Sequence, residues 1–298
     1  MIKSNLENSF VQRGNYFVDT IDLHVHSCFS DGTCTPEELV VQAKKAGLKA
    51  FALTDHDTVA GVPDAVRYGK EMGIQVIPGV ELSCEYMVSV GRKKEIHILG
   101  YCLDYTQPEL CQTLADAANE RVERNRKMCK NLSNAGFPIT YENLLARFPN
   151  TILTRAHFAR FLYEKGAVGS IDAAFRKILA QNGPYYVKRR YLTPKQGIDT
   201  IKKAGGIPVL AHPLLYKLSV TEIRNLLTEL VCYGLKGIEA IYSRNHGNDE
   251  AFVRKLAKEY HLFITGGTDF HGDNKPDLSI GTGTGKMQIP ATLLENLR

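Results

Sequence analysis

The chain has 298 residues, 44% of them hydrophobic and 23% charged, and a net charge of +5 with the histidines neutral. That is enough apolar material for one large α/β barrel or two ordinary domains, and the mild positive balance suits an anionic substrate while falling short of what a duplex nucleic-acid surface needs. No apolar run reaches the roughly 18 residues of a membrane span, residues 1–18 lack the apolar stretch of a signal peptide, and seven cysteines without paired spacing fit reduced thiols, so a cytoplasmic protein is expected.

The segment Asp22-Leu23-His24-Val25-His26 alternates apolar with polar residues and runs into Ser30-Asp31-Gly32, which predicts a strand entering a turn. Side chains two apart on a strand point the same way, so His24 and His26 share a face and Asp31 can fold back over them. Two imidazoles and a carboxylate make part of a metal site. Thr35 then caps a helix that opens on Pro36-Glu37-Glu38 and stops near Gly47. Phe51 to Thr54 reads as a buried strand ending in Asp55-His56-Asp57, followed by a helix over 62–72 and a third strand over 74–77 ending in Gly79-Val80-Glu81. This is a parallel α/β pattern. Residues 82–90 and 94–103 predict an antiparallel hairpin around Gly91, with His97 in mid-strand.

From 106 to 190 the strands give way to helices, at about 109–134, 141–147, 155–164 and 173–179, which reads as a helical insertion that tunes substrate specificity. Alternation resumes with a helix over 194–204, the strand 207–211 ending in His212, a helix over 221–233 and the strand 237–241. A helix over 249–260 leads to the strand 263–265 and the loop Gly267-Thr268-Asp269-Phe270-His271. The domain reading is therefore a barrel of 19–105 and 191–298, the insertion 106–190, and an N-terminal extension 1–18.

Most of the chemistry-bearing residues sit at or just past strand ends. His24, His26, His56, Glu81, His212, Asp269 and His271 fall there, and with His97 they account for six of the nine histidines. In β/α barrels the loops at the carboxyl ends of the strands converge on one cavity. A lone histidine is usually a core or surface residue. Six imidazoles with several carboxylates in one cavity require cations to offset repulsion and desolvation.

The motifs Asp22-Leu23-His24-Val25-His26-Ser27, Thr54-Asp55-His56-Asp57, Gly79-Val80-Glu81, Leu210-Ala211-His212-Pro213 and Gly267-Thr268-Asp269-Phe270-His271 resemble those of the polymerase and histidinol phosphatase (PHP) family, in the family's order. The resemblance implies a distorted (β/α)7 barrel that binds two or three divalent metal ions. His24, His26, Glu81 and Asp269 would hold one ion. Glu81 would bridge to a second ion shared with His97 and His212, and Asp31, His56 and His271 would complete a trinuclear centre. Mixed imidazole and carboxylate donors suit manganese, iron or zinc. The implied reaction is phosphoester hydrolysis by a metal-bridging hydroxide, with Asp55, Asp57 or His212 protonating the leaving group, or with Asp57 instead orienting a ligand histidine.

Thr154-Arg155-Ala156-His157 resembles a stretch of the PHP subgroup that acts on nucleoside 3′,5′-bisphosphates and short 5′-phosphorylated oligonucleotides. Either Arg155 and His157 face the cavity and grip a remote phosphate, or the stretch is an amphipathic helix start with Thr154 as N-cap and Arg155 solvated. The run Tyr185-Tyr186-Val187-Lys188-Arg189-Arg190-Tyr191 either stacks a base and holds phosphate through Lys188 and Arg189 or is a solvated basic loop. Glu239 and Ser243 lie near another strand end. The helix bearing Arg121, Arg124, Arg126 and Lys127 reads as a solvated face, and Gly281 to Lys286 lacks the first glycine and the Ser/Thr of a phosphate loop. The expected partner is a small phosphorylated molecule, most plausibly a nucleotide. A histidinol-phosphate-type monophosphatase and a non-catalytic, metal-stabilised PHP module are the alternatives.

Overall fold

Seven strands pair in chain order: β1 (Ile21–Val25), β2 (Ala50–Leu53), β3 (Gln75–Ser89), β4 (Arg92–Tyr101), β5 (Ile207–Leu210), β6 (Gly237–Tyr242) and β7 (Phe263–Gly267). They belong to a computed structural model, which describes residues 19–149, 151–180 and 183–297. The N-terminal extension 1–18 lies outside the described residues. β1, β2 and β3 pair in parallel, as do β5, β6 and β7, whereas β4 runs antiparallel to both of its neighbours. Just past β7, Phe270 bridges back to Val25, and the His26 amide donates to the Phe270 carbonyl at 3.0 Å. The sheet is thereby a nearly closed, distorted seven-stranded barrel.

Helices α1 (Pro36–Lys45), α2 (Val62–Met72), α7 (Pro194–Lys203), α8 (Val220–Tyr233) and α9 (Asp249–Glu259) return the chain between strands. Local chemistry sets their ends. Thr35, Thr193 and Ser219 each cap a helix in a reciprocal box with Glu38, Gln196 and Glu222, and Gly73 and Gly234 close α2 and α8 in the left-handed region that a Cβ disfavours. Apolar residues of successive strands, among them Ile21, Leu23, Ala52, Ile77, Leu99 and Val209, fill the barrel.

Between β4 and α7 lie α3 (Pro108–Asn134), α4 (Tyr141–Arg147), α5 (Arg155–Glu164) and α6 (Ile171–Lys177). They bury an apolar cluster of their own, including Met128, Leu132, Leu144, Phe158 and Leu162. One element departs from expectation. The third strand and the first arm of the hairpin are one continuous strand, β3, whose first residues pair with β2 and whose remainder pairs with β4.

Candidate metal centre

β1 delivers His24 at its end and His26 one residue beyond, both fully buried, and the β1–β2 register shifts between Asp22 and Val25. Such irregularities re-aim side chains at sites. The Nε2 atoms of His24 and His26 each lie 3.3 Å from Glu81 Oε2, and stand 3.7 and 3.4 Å from Asp269 Oδ1. A tetrahedral ion with bonds of about 2.1 Å has ligand–ligand edges of roughly 3.4 Å, so the distances of both imidazoles from Glu81 match such a site, and Asp269 lies near the same two nitrogens. The other oxygen of Glu81, Oε1, lies 2.9 Å from both His97 Nδ1 and His212 Nε2. On the far flank His56 Nδ1 is 3.0 Å from Glu81 Oε2. His271 Nε2 is 3.2 Å from Asp31 Oδ1, and His26 Nδ1 is 3.8 Å from that same oxygen.

Three groups bring their donor atoms within 4.8 Å of one another: His26-Asp31-His56-His271, His24-His26-Glu81 and His56-Glu81-His97. His24 Nε2, His26 Nε2, Asp31 Oδ1, His56 Nδ1 and Glu81 Oε2 are all buried without a hydrogen-bond partner. Orphaned buried polar atoms are rare in native proteins, and these five converge on the same space. Cations satisfy them all at once. Protonation alone does not. Burial opposes charge on His26, yet Asp269 and Glu81 push it up to about 9, and against the same burial Glu81 and Glu95 push His97 up to about 10. His56, between the two, is driven down to about 3 by burial against the pull of Glu81 and Asp31.

The donors are themselves held. Glu239 on β6 lies 3.0 Å from His24 Nδ1 and accepts the His212 amide at 2.7 Å. Tyr242 donates to Asp269 Oδ2 at 2.7 Å, and Lys275 donates to the same oxygen at 2.5 Å. Asp57, His212 and Asp269 sit at positive φ (52°, 24° and 55°), a conformation that surrounding contacts must enforce.

The structure brings the nine expected ligand residues into one cluster, seven of them lining a cavity, but several other expected site residues have different work. Asp55 accepts from the Ser27 amide (2.8 Å), the Ser27 hydroxyl (2.6 Å) and the Ser30 hydroxyl (2.5 Å), so its carboxylate braces the 27–30 loop rather than a leaving group. Asp57 accepts from the Ser83 amide and is gripped by Arg121 and Arg189, which hold its carboxyl below the usual range against burial. A carboxylate held ionised has no proton to give. His157 is buried and turned to its own helix: its Nδ1 accepts the Thr154 amide at 2.9 Å, closing a capping box. Arg189 belongs to the Asp57 contact and stacks on Tyr191, and Lys188 is exposed over a groove beside Tyr186 and Glu95. Arg155 does line the cavity, its Nη2 3.3 Å from Glu95 Oε2. Gly281 donates its amide to Asp22 beneath β1, so that loop supports the barrel.

Two residues read as solvated are not. Arg121 and Arg124 are 6% and 3% exposed and line a cavity of about 340 Å³ shared with His56, His97, His212 and Arg155. The signal was present in α3. Leu114, Arg121, Arg124, Met128 and Leu132 recur at helical spacing on one buried stripe, and the two arginines lie on it. Phe175 and the half-exposed Leu215 add an apolar wall.

The PHP domain profile matches residues 22–193. The chain is 36% identical over 279 residues to the 5′-3′ exoribonuclease Rnm of Escherichia coli, covering 93% of this chain and 92% of that one. It is 34% identical over 263 residues to the 3′,5′-nucleoside bisphosphate phosphatase of Chromobacterium violaceum, covering 88% and 90%. Among solved structures, an amidohydrolase from Chromobacterium violaceum with bound sulfate and no metal superimposes with a TM-score of 0.81 at 32% identity, over 88% of this chain and 90% of that one.

Proposed function

This chain belongs to the PHP domain family, and from that footing we propose that it is a metal-dependent phosphoesterase whose substrate carries two anionic groups: a nucleoside 3′,5′-bisphosphate or the 5′-phosphorylated end of a short oligonucleotide. The observation that carries this reading is Arg124. Its guanidinium is buried, its Nε has no hydrogen-bond partner, and it lines the same cavity as His56, His97 and His212. An unpaired buried cation is a strong recognition element for an anion, and Arg124 lines the cavity from α3 rather than from the strand ends that carry the donors, which suits a group other than the one being cleaved.

The ligand assignment we favour places His24, His26, Glu81 and Asp269 on one ion, Glu81, His97 and His212 on a second, and Asp31, His56 and His271 on a third, the ions being manganese, iron or zinc. When bound, the ions supply Lewis acidity toward phosphoryl oxygens and lower the pKa of water toward neutrality. The chain's own side chains do the rest. Arg124, Arg155 and Lys94 hold the remote anion, while Phe175 and Leu215 offer the nucleoside an apolar face and exclude water. Asp55 and Asp57 are committed elsewhere; of the expected acids only His212 lines the cavity, and its Nε2, 2.9 Å from Glu81 Oε1, is the atom that would serve as ligand.

Among the described residues no helix is long and apolar enough to cross a membrane, and the seven cysteines are all free; we place the enzyme in the cytoplasm. The test is a substrate panel on manganese-loaded protein: a nucleoside 3′,5′-bisphosphate, a short 5′-phosphorylated oligoribonucleotide, a nucleoside monophosphate and histidinol phosphate. One charge-assisted contact contributes about 1.5–3 kcal/mol, so the first two should exceed the others in kcat/KM by roughly 10- to 100-fold. Equal turnover of histidinol phosphate would point to the monophosphatase reading, and no turnover of any substrate to the non-catalytic module.

A further inference from the structure

The donors of the centre are supported from two different parts of the fold. On one flank, His24 and the His212 backbone are held by Glu239, and Asp269 by Tyr242 and Lys275. All three supports come from the barrel strands or the loop after β7. On the other flank the helical segment between β4 and α7 reaches into the metal loops at two places.

The first is the loop that carries Asp31. Thr151 donates its hydroxyl to the Ser30 carbonyl (2.5 Å), the Ile152 amide donates to the Phe29 carbonyl (3.1 Å), and the Thr154 hydroxyl donates to Asp31 Oδ2 (3.2 Å). That last contact occupies one carboxylate oxygen and leaves the other, Oδ1, orphaned toward His271 and His26. Arg160 of α5 adds an indirect link. It donates to Asn274 Oδ1 (2.8 Å), and Asn274 donates to the Asp31 carbonyl (2.7 Å).

The second is the loop that carries His56. Its neighbour Asp57 is held at φ 52° while its carboxylate is gripped by Arg121 from α3 and by Arg189 from the strap before α7. The Asp57 amide donates to the Glu81 carbonyl at 3.0 Å, and the Ser83 amide donates to Asp57 Oδ1 at 2.8 Å, so the pair of arginines locks the His56 turn against β3. A non-glycine residue in the left-handed region persists where its surroundings over-determine it.

We propose that Thr154 and the Arg121–Asp57–Arg189 clamp are positioning residues for the Asp31/His56 flank, so that the helical segment decides whether an ion is held there while the barrel alone holds ions on the His24/Asp269 flank. The inference rests on the metal-centre reading above. It also ties that flank to the cavity, because α3 and α5 carry both the positioning contacts and the substrate-facing Arg124 and Arg155. Contacts that orient ligands commonly change metal affinity by about 10- to 100-fold when cut.

The experiment reads metal content, not turnover. Wild type, Thr154→Val and Thr154→Ser are loaded with Mn²⁺ and passed through metal-free buffer, and manganese per chain is measured by elemental analysis. Circular dichroism confirms the fold, and Arg189→Lys serves as a second variant acting from the other loop. Thr154→Val should retain about one ion per chain fewer than wild type, with an affinity for re-added Mn²⁺ at that site weakened roughly 10- to 100-fold. Thr154→Ser, which keeps the hydroxyl and the helix cap, should match wild type. Arg189→Lys should show the same partial loss even if Thr154→Val does not fold. Wild-type metal content in the folded variants would overturn the proposal, and so would loss of all ions together. Failure of the bisphosphate preference, by contrast, would leave the metal counts as they are.

Discussion

Arg124 is a cation 3% exposed, and among the described residues no carboxylate lies within ion-pair distance of it. Burial first, and then the neighbouring charge of Arg121, pull its pKa down to about 10. A buried charge without a partner destabilises the folded state, so this side chain works against stability until an anion arrives. Arg124→Met should therefore raise the unfolding temperature of the substrate-free protein. It should also raise KM for a nucleoside bisphosphate about 30-fold, the equivalent of roughly 2 kcal/mol, with little change on a small aryl phosphate. Paired melting and kinetic measurements check both signs, and a fall in melting temperature would count against the reading. Asp57 is the opposite case. It is 1% exposed and satisfied by two guanidinium groups, so Asp57→Asn strands buried cations and should cost about 3–5 kcal/mol in urea unfolding. Removing Glu250, whose contact with Arg254 is on the exposed face of α9, should cost less than about 1 kcal/mol.

At the scale of elements, α5 shows how one helix end serves a distant site. His157 closes the capping box at Thr154, and burial holds it neutral with a pKa of about 4, against about 6.5 in an unfolded chain. Between those values the unfolded chain binds the extra proton, so this histidine's linkage makes stability fall as pH drops from about 6.5 toward 4. His157→Gln keeps an acceptor for the cap and removes the titration. Protection of the 155–164 amides, taken relative to their intrinsic exchange rates, should fall with acid in wild type and less so in His157→Gln; identical pH profiles would exclude the linkage. β3 shows how local punctuation can hide a continuous strand. Pro78-Gly79 looks like a strand end, because both residues punctuate local structure. In the fold Gly79 lies within one long strand, where an added Cβ would sit 2.8 Å from the Leu53 carbonyl oxygen and 3.1 Å from that of Gly100. The glycine is there for the close approach of two neighbouring strands, not for a turn.

For the whole molecule, the barrel brings together donors from positions 24 to 271, and folding leaves several of them buried and unsatisfied. Ions that bind only this arrangement stabilise it by mass action, about 4 kcal/mol at a thousandfold excess over Kd. Chelation should lower the unfolding temperature by several degrees and re-addition of Mn²⁺ should restore it, as followed by calorimetry. A melting temperature indifferent to chelator would argue that the cluster holds no structural ion.

Much of this architecture was written in local pattern. The alternation of strands and helices, the caps at Thr35, Thr193 and Ser219, and the placement of histidines at strand ends follow from near-neighbour chemistry that a linear sequence displays. One part of the site follows in the same way: His24 and His26 stand two residues apart on a strand, and that spacing alone puts them on one face. What the sequence could not show was which partner each long or charged side chain meets. Asp57 reads the same whether it faces a leaving group or Arg121 and Arg189, and His157 the same whether it grips phosphate or caps its own helix. Asp57 meets Arg189 132 positions away, while His157 turns to Thr154 only three residues away, on a helix whose inner face is buried. Only packing the helical segment against the barrel decides them, because the energy of a buried charge is set by its neighbours in space.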